Sequence, residues 1–217
     1  MTQNRSSAVM QQRREPHDSL DDFPTPPWST RALFCHLQNT LLWPVTDGDS
    51  CREPAANRGH MVGPLKEYFH DVEASDVYDY GAGFPVRDYL WGPAPDPVDW
   101  TVTNPPFRLA DQFIERALFT SRKAVAVIVR SAFLEGIKRY EGLFKPYPPR
   151  LILQFSERVV MHRGRLSPTG STATAYCWII WETHQPRMRR ETEFGWIPPC
   201  RRRLERPGDY DAPEGCR

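Results

Sequence analysis

The run Ala124-Val125-Ala126-Val127-Ile128-Val129 constrains the fold of this chain more than any other segment. It is apolar without alternation and rich in β-branched side chains, so as a strand it must be covered on both faces. Strands of that kind lie inside parallel sheets with helices above and below, and the surrounding sequence should therefore alternate between strand and helix.

That alternation is present. A stretch from Ser29 to Leu42 carries Ala32, Leu33, Leu37 and Leu41 on one helical face, and it follows the proline-rich Phe23-Pro24-Thr25-Pro26-Pro27-Trp28. A short strand is expected to end near Glu53, followed by a helix from about His60 to Phe69 and a second strand from Val72 to Asp76. The β-rich run Val98 to Thr103 stops at Asn104-Pro105-Pro106-Phe107, because proline cannot donate to a sheet ladder. Leu109 to Thr120 has helical spacing, with Phe113, Ile114, Ala117 and Leu118 available to a core. A short helix around Glu135 to Phe144 precedes two strand candidates, Leu151 to Met161 and Thr172 to Trp181, and the loop Arg163 to Gly170 between them is too long for a tight hairpin. The expected architecture is α/β: a mostly parallel sheet closed by an antiparallel edge strand pair, with Trp178 and Trp181 packing at that edge.

A chain of 217 residues, 40% of them hydrophobic, has room for one such domain and its tails. Residues 1–20 are polar and without hydrophobic periodicity, which predicts a disordered arm ahead of a domain over 21–184. From about Gln185 to Arg217, prolines combine with Arg187, Arg189, Arg190, Arg201, Arg202, Arg203 and Arg206 to suggest a loose basic tail. The net charge of +1 gives the whole molecule no pull on a polyanion, so any affinity for nucleic acid has to come from a local patch. The five cysteines are odd in number, scattered and never spaced as a CxxC pair, which argues against a disulfide framework and a zinc site and fits a reducing cytoplasm. No apolar run approaches the roughly 20 residues of a membrane span, and the N-terminus lacks a signal-peptide core.

The segment Asp99 to Phe107 carries the most chemistry. A strand that ends in Asn-Pro-Pro-aromatic delivers an amide, a proline-flanked carbonyl, two rigid rings and an aromatic face to the carboxyl edge of a sheet, where α/β folds bind ligands. The Asn104 amide oxygen and the carbonyl can both accept hydrogen bonds from an NH2 group, which turns the nitrogen lone pair towards an electrophile, and Phe107 can stack on a planar base. A plain strand-ending turn accounts for the tetrapeptide equally well when it is taken alone. Upstream, Glu53-Pro54-Ala55-Ala56-Asn57-Arg58-Gly59 joins a strand to a helix through small residues that let a ligand approach the backbone, a pattern that a simple strand-to-helix turn also explains. Asp76, an acid expected to be accessible at a strand end, could take ribose hydroxyls. His60 has no partners at ligand spacing and is read as structural.

In their order and spacing these segments resemble the N6-adenine DNA methyltransferases, amino-group methyltransferases with Asn-Pro-Pro-Phe at the catalytic turn. The resemblance covers roughly residues 21–182. Phe23, Thr25 and Pro26 match an N-terminal cofactor motif of one permutation class, and Glu53, Ala55, Asn57 and Gly59 fall in a segment similar to the family's Glu-Pro-Ala-Cys-Gly-x-Gly. Asp76 resembles the ribose acid, Asp88 and Tyr89 the segment beside the cofactor's adenine, and Asn104, Pro105, Pro106 and Phe107 the catalytic turn. The resemblance implies a Rossmann-like class I methyltransferase fold, S-adenosyl-L-methionine as cofactor, no metal, and DNA as partner, with RNA as the alternative. The chain departs from the family at Ala56 and Asn57, which stand where Cys and Gly are usual. It also shows no insert large enough for a separate target-recognition domain, so sequence specificity is expected to be low or else supplied by Arg163, Arg165 and the basic tail. Two rival functions remain open from the sequence: methylation of a glutamine side chain in a protein, and a degenerate nucleic-acid-binding module without activity.

Overall fold

The computed structural model describes residues 21–40, 45–46, 48–183 and 191–211. The expected arm over 1–20, the helix end at Leu42 and parts of the expected basic tail lie outside these residues. Helix α1 (Pro27–Thr40) is followed by β1 (Ser50–Glu53), α2 (Val62–Leu65), β2 (Asp71–Ala74), β3 (Val98–Thr103), α3 (Ala110–Thr120) and β4 (Ser121–Arg130). After β4 come a 3-10 turn (Ser131–Leu134), α4 (Ile137–Arg139) running into a π turn (Tyr140–Phe144), then β5 (Leu151–Phe155), β6 (Tyr176–Glu182), β7 (Glu193–Ile197) and α5 (Arg201–Leu204). The helix expected over 60–69 is thus a single turn, and the one expected over 135–144 runs from Ile137 to Phe144 with its second part wound as a π turn.

The strands form one sheet in the order β2-β1-β3-β4-β6-β5-β7, with only β6 antiparallel to its neighbours. This is the expected α/β sheet, and β4 lies inside it, covered on both faces. Ala124, Ala126 and Ile128 join a core with Trp28, Leu33, Phe34 and Leu37 of α1, while Val125, Val127 and Val129 join another with Ala110, Ile114 and Ala117 of α3. The alternation follows from the two-residue period of a strand. Trp178 and Trp181 point into these two cores, fully buried, because β6 is an interior strand. The Trp178 indole N–H donates to the Ser29 carbonyl at 3.1 Å, which satisfies the one polar atom it buries.

The loose-tail expectation fails for the described part of the C-terminus. Residues 193–197 pair in parallel with β5 and make the sheet's edge, and α5 packs on α1. What holds them is charge as well as apolar burial. Arg31, 5% exposed, donates to the Leu204 carbonyl at 2.9 Å, to Asp209 at 2.7 and 2.9 Å, and to Glu67 at 3.0 and 3.1 Å. Glu157 accepts from the backbone amides of Cys200 and Arg201 at 2.6 and 2.7 Å and so caps α5. Among the described residues, no helix is long and apolar enough to cross a membrane.

Between β1 and β3 the winding reverses: β1-α2-β2 builds outward in one direction and β3-α3-β4 in the other. The carboxyl ends of β1 and β3 open a crevice there, the place where open α/β sheets bind ligands.

Removing Asp209 leaves the buried Arg31 guanidinium with Glu67 as its one remaining acid partner. Asp209→Ala is expected to lower stability by about 3 kcal/mol, towards the small end of the range for breaking a buried pair. Denaturant unfolding checks this, and a loss within 0.5 kcal/mol, the usual range for surface substitutions, would show that the C-terminal segment docks without the cluster.

Candidate active site

The turn after β3 is built against an N-terminal strap, Asp21–Thr25. The Asn104 side-chain NH2 donates to the Phe23 carbonyl at 3.0 Å and to the Thr25 hydroxyl oxygen at 2.9 Å, with the Met161 sulfur at 3.9 Å. A backbone carbonyl only accepts, so these contacts fix which end of the amide is nitrogen. Among the described residues, the Asn104 Oδ1 is buried and has no donor. At the far end of the turn the Phe107 amide donates to Asp21 Oδ2 at 2.7 Å. Pro105 and Pro106 supply no amide that could compete, and they stiffen the backbone between these anchors.

The loop after β1 rests on Glu53, which is fully buried. Its Oε1 accepts from the Thr103 hydroxyl at 2.6 Å and the Ala55 amide at 3.0 Å, and its Oε2 has no partner among the described residues. Burial pushes the Glu53 carboxyl up to about 8; the hydrogen bonds from Thr103 and Ala55 oppose that rise and nearby Asp76 adds to it. Asn57 stands in the left-handed region at φ 51°, where asparagine is the most tolerated residue after glycine. Its side chain secures that conformation: Nδ2 donates to Asp22 at 2.8 Å and Oδ1 accepts from the Arg58 amide at 2.8 Å. Arg58 makes a bidentate pair with Asp22 at 2.8 and 3.0 Å and lies 4.8 Å over the Tyr80 ring. Gly59 has φ 85°, and a Cβ there would meet the Phe84 ring at 2.9 Å.

Asp76 is not the accessible acid expected from the sequence. It is 9% exposed, and its carboxylate accepts from the amides of Asn57 at 2.8 Å and Tyr78 at 3.1 Å, tying the loop after β1 to the loop after β2. Burial raises its pKa against these hydrogen bonds. Removing it would cost the fold as well as any ligand. Asp88 is exposed and caps its own turn through the Leu90 amide at 2.9 Å. Tyr89 is buried, with its hydroxyl 3.3 Å from that of Thr120 and its ring 5.1 Å from Phe113.

Phe23, Thr25, Ala55, Asn57, Asp76, Asp88, Tyr89, Asn104 and Pro106 line one cleft of about 270 Å³. Glu53, Pro26, Gly59, Pro105 and Phe107 are not on its wall; Glu53 underlies the loop, and Pro26 accepts from Ser29 at the start of α1. The Phe107 ring is half-buried, tilted against Phe23 at 5.4 Å and covered by the Arg130 guanidinium at 4.0 Å, so the free stacking face expected of it is occupied. Arg163 and Arg165 are exposed on a loop joined to the strap by the Gly164 amide, which donates to the Asp22 carbonyl at 2.8 Å.

Sequence reasoning missed Asp21, Asp22, Tyr80 and Arg130, and set His60 aside. Asp21 and Asp22 directly precede Phe23, and that adjacency was the available signal. His60 lines the cleft, and burial, then Arg58, push it down to about 4, so its imidazole is neutral at physiological pH.

No protein-family model matches the chain, and none of the curated proteins matches its sequence. Among solved structures it is similar to the methyltransferase subunit of a type I restriction-modification system from Streptococcus thermophilus, with a TM-score of 0.57 and 13% identity over 80% of this chain. The chain spans 47% of that subunit's length. It is also similar to a Thermoplasma acidophilum protein, with a TM-score of 0.52, 16% identity and coverage of 74% of this chain and 88% of that one. A candidate RNA methyltransferase from Pyrococcus horikoshii gives a TM-score of 0.50, 15% identity and coverage of 78% and 91%. At these identities the likeness establishes the fold, the Rossmann-like fold of methyltransferases.

Glu53 holds its proton in the folded protein at pH values where the unfolded chain has lost it, so its contribution to stability falls as the pH rises from about 4.5 towards about 8. Glu53→Gln removes this dependence. The stability of the variant relative to the parent is expected to rise across that window, by about 1.4 kcal/mol per pH unit at the steepest. Unfolding curves of the two proteins that stay parallel between pH 5 and 8 would contradict the buried, proton-holding Glu53.

Proposed function

We propose that this protein transfers a methyl group from S-adenosyl-L-methionine to an exocyclic amino group, namely N6 of adenine in DNA. The observation that carries the reading is the Asn104 amide. Its nitrogen is spent on the strap, and its oxygen is a buried acceptor without a donor beside a cleft that Asn104 helps to line. Buried polar atoms are rarely left unsatisfied, and an orphan held in fixed orientation is suited to a ligand that brings the missing N–H.

The residues present fit the cofactor. Ala55 and Ala56 keep the loop after β1 low, Asn57 holds its left-handed turn without distortion, and Asp76 and Asp88 stand on the β2 side for hydroxyl and amino groups. Bound there, S-adenosylmethionine would supply an electrophilic methyl on a sulfonium. Asn104 Oδ1 accepts one N–H of the target NH2, and a proline-flanked carbonyl of the turn accepts the other. With both protons held by these acceptors, the nitrogen lone pair is turned out of the ring plane towards the place where the cofactor would present its methyl. One of the two held protons then leaves the nitrogen for solvent. Catalysis on this account is positioning and electrostatics in a stiff frame. Duplex DNA would have to present the base flipped out of its stack.

Adenine is favoured over a glutamine side chain by Phe107 and by the role of Phe23 and Thr25, whose motif accompanies the DNA enzymes and here orients the catalytic amide directly. The degenerate-module reading is weakened because Asn57, which prompted it, is accommodated by Asp22 and Arg58. The exposed Arg163 and Arg165, on a loop anchored to the strap, support contact with a phosphate backbone at the same edge.

Asn104→Ala is expected to fold and bind S-adenosylmethionine like the parent while losing turnover by about a hundredfold or more, by analogy with deletion of a positioned donor. Calorimetry and a labelled-methyl assay read the two effects separately, and a folded variant with the parental rate would remove Asn104 from the mechanism. For the acceptor, Arg163→Ala with Arg165→Ala should flatten the dependence of log affinity on log salt by about one unit per lost phosphate contact. An identical salt slope would take the loop out of the interface.

A further inference from the structure

Arg130 ends β4, next to the turn that ends β3. Its guanidinium carbon lies 4.0 Å from the centroid of the Phe107 ring and 5.7 Å from that of Phe23. Across the neighbouring antiparallel strand, Arg130 stands in register with Tyr176. Its Nε is buried and has no acceptor among the described residues. An arginine built in as a permanent strut is normally satisfied at every buried donor. Here much of the hold is stacking on an aromatic ring.

Phe107 has little surface to spare. It packs against the α1-side core, leans on Phe23, and carries Arg130 on a face of its ring. A guanidinium is planar, delocalised and weakly hydrated, which makes it a close physical stand-in for a flat heteroaromatic group. Two planar groups cannot occupy one ring face.

We propose that Arg130 is a displaceable cap on the acceptor platform: in the free protein its guanidinium holds the face of Phe107 that a flat, amino-bearing base takes beside Asn104, and the base enters by exchanging with it. The identity of the acceptor rests on the methyl-transfer reading above; the capping rests on the Arg130–Phe107 stack. The cap lowers the apparent affinity for the acceptor by the fraction of time the ring is uncovered. For a partly desolvated cation-π pair that factor is about 2- to 30-fold.

Arg130→Lys keeps the charge and removes the planar group. Parent and variant, each saturated with S-adenosylhomocysteine so that the base cannot take the cofactor's place, are titrated with single-stranded oligodeoxyadenylate. The variant is expected to bind about 2- to 30-fold more tightly. In a Phe107→Leu background, where there is no ring to cap, the same substitution is expected to change nothing. Arg130→Met, probed with uncharged 2′-deoxyadenosine so that lost charge does not count, repeats the comparison should the lysine variant fold poorly. Failure of S-adenosylhomocysteine to bind either protein would tell against the methyltransferase reading, and it is seen before any oligonucleotide is added. Binding that is unchanged or weaker in folded Arg130→Lys would overturn the cap.

Discussion

An asparagine side chain at the end of a strand is free to turn, and the proposed methyl transfer depends on this one being held. Asn104 is held by the Phe23 carbonyl and the Thr25 hydroxyl, acceptors that come from a strap preceding the first helix. Once both N–H groups of the amide are committed, the direction of its oxygen follows. The strap is fixed in turn by Asp21, which accepts from the Phe107 amide, so the two segments brace each other across the cleft. The sheet supplies the rest of the rigidity, because β3 lies between β1 and β4 and cannot shift without breaking both ladders.

Acidic side chains do structural work around the cleft that their positions alone would not suggest. Asp22 binds the Asn57 amide and the Arg58 guanidinium through its side chain and Gly164 through its backbone carbonyl, so one residue joins the strap, the loop after β1 and the arginine-bearing loop. Asp76 does the same between the loops after β1 and β2. Glu53 lies deeper and is kept protonated by burial, which spares the floor of the site a bare charge in a low-dielectric setting. These contacts give Asn57 its left-handed conformation at small cost, and they explain how the loop keeps its shape with asparagine where glycine is usual.

The parts legible in the sequence were those set by local chemistry. The doubly covered run at Ala124–Val129 and the proline stop after Thr103 each express their role within a few neighbouring residues, and each lies where the sheet needs it. The parts that were not legible depend on distant partners. Asn104 and Phe23 are 81 positions apart, and Arg31 reaches Asp209 across 178, so neither pairing leaves a trace in the pattern around it. Strand β7 went unseen because it is short, carries a glycine, and buries only Ile197 of its five residues, while the arginines around it read as tail. Asp76 looked accessible because a strand end normally is; the loop after β1 folds down on it instead.

The central claim is that the pinned amide of Asn104 receives the amino group of adenine in DNA. The most direct measurement is to incubate the protein with methyl-labelled S-adenosylmethionine and DNA, RNA and protein acceptors, digest each to nucleosides or amino acids, and identify the labelled product. The account predicts label in N6-methyl-2′-deoxyadenosine. Label confined to another base, to RNA or to a glutamine side chain, or no transfer from a cofactor that binds, would contradict it.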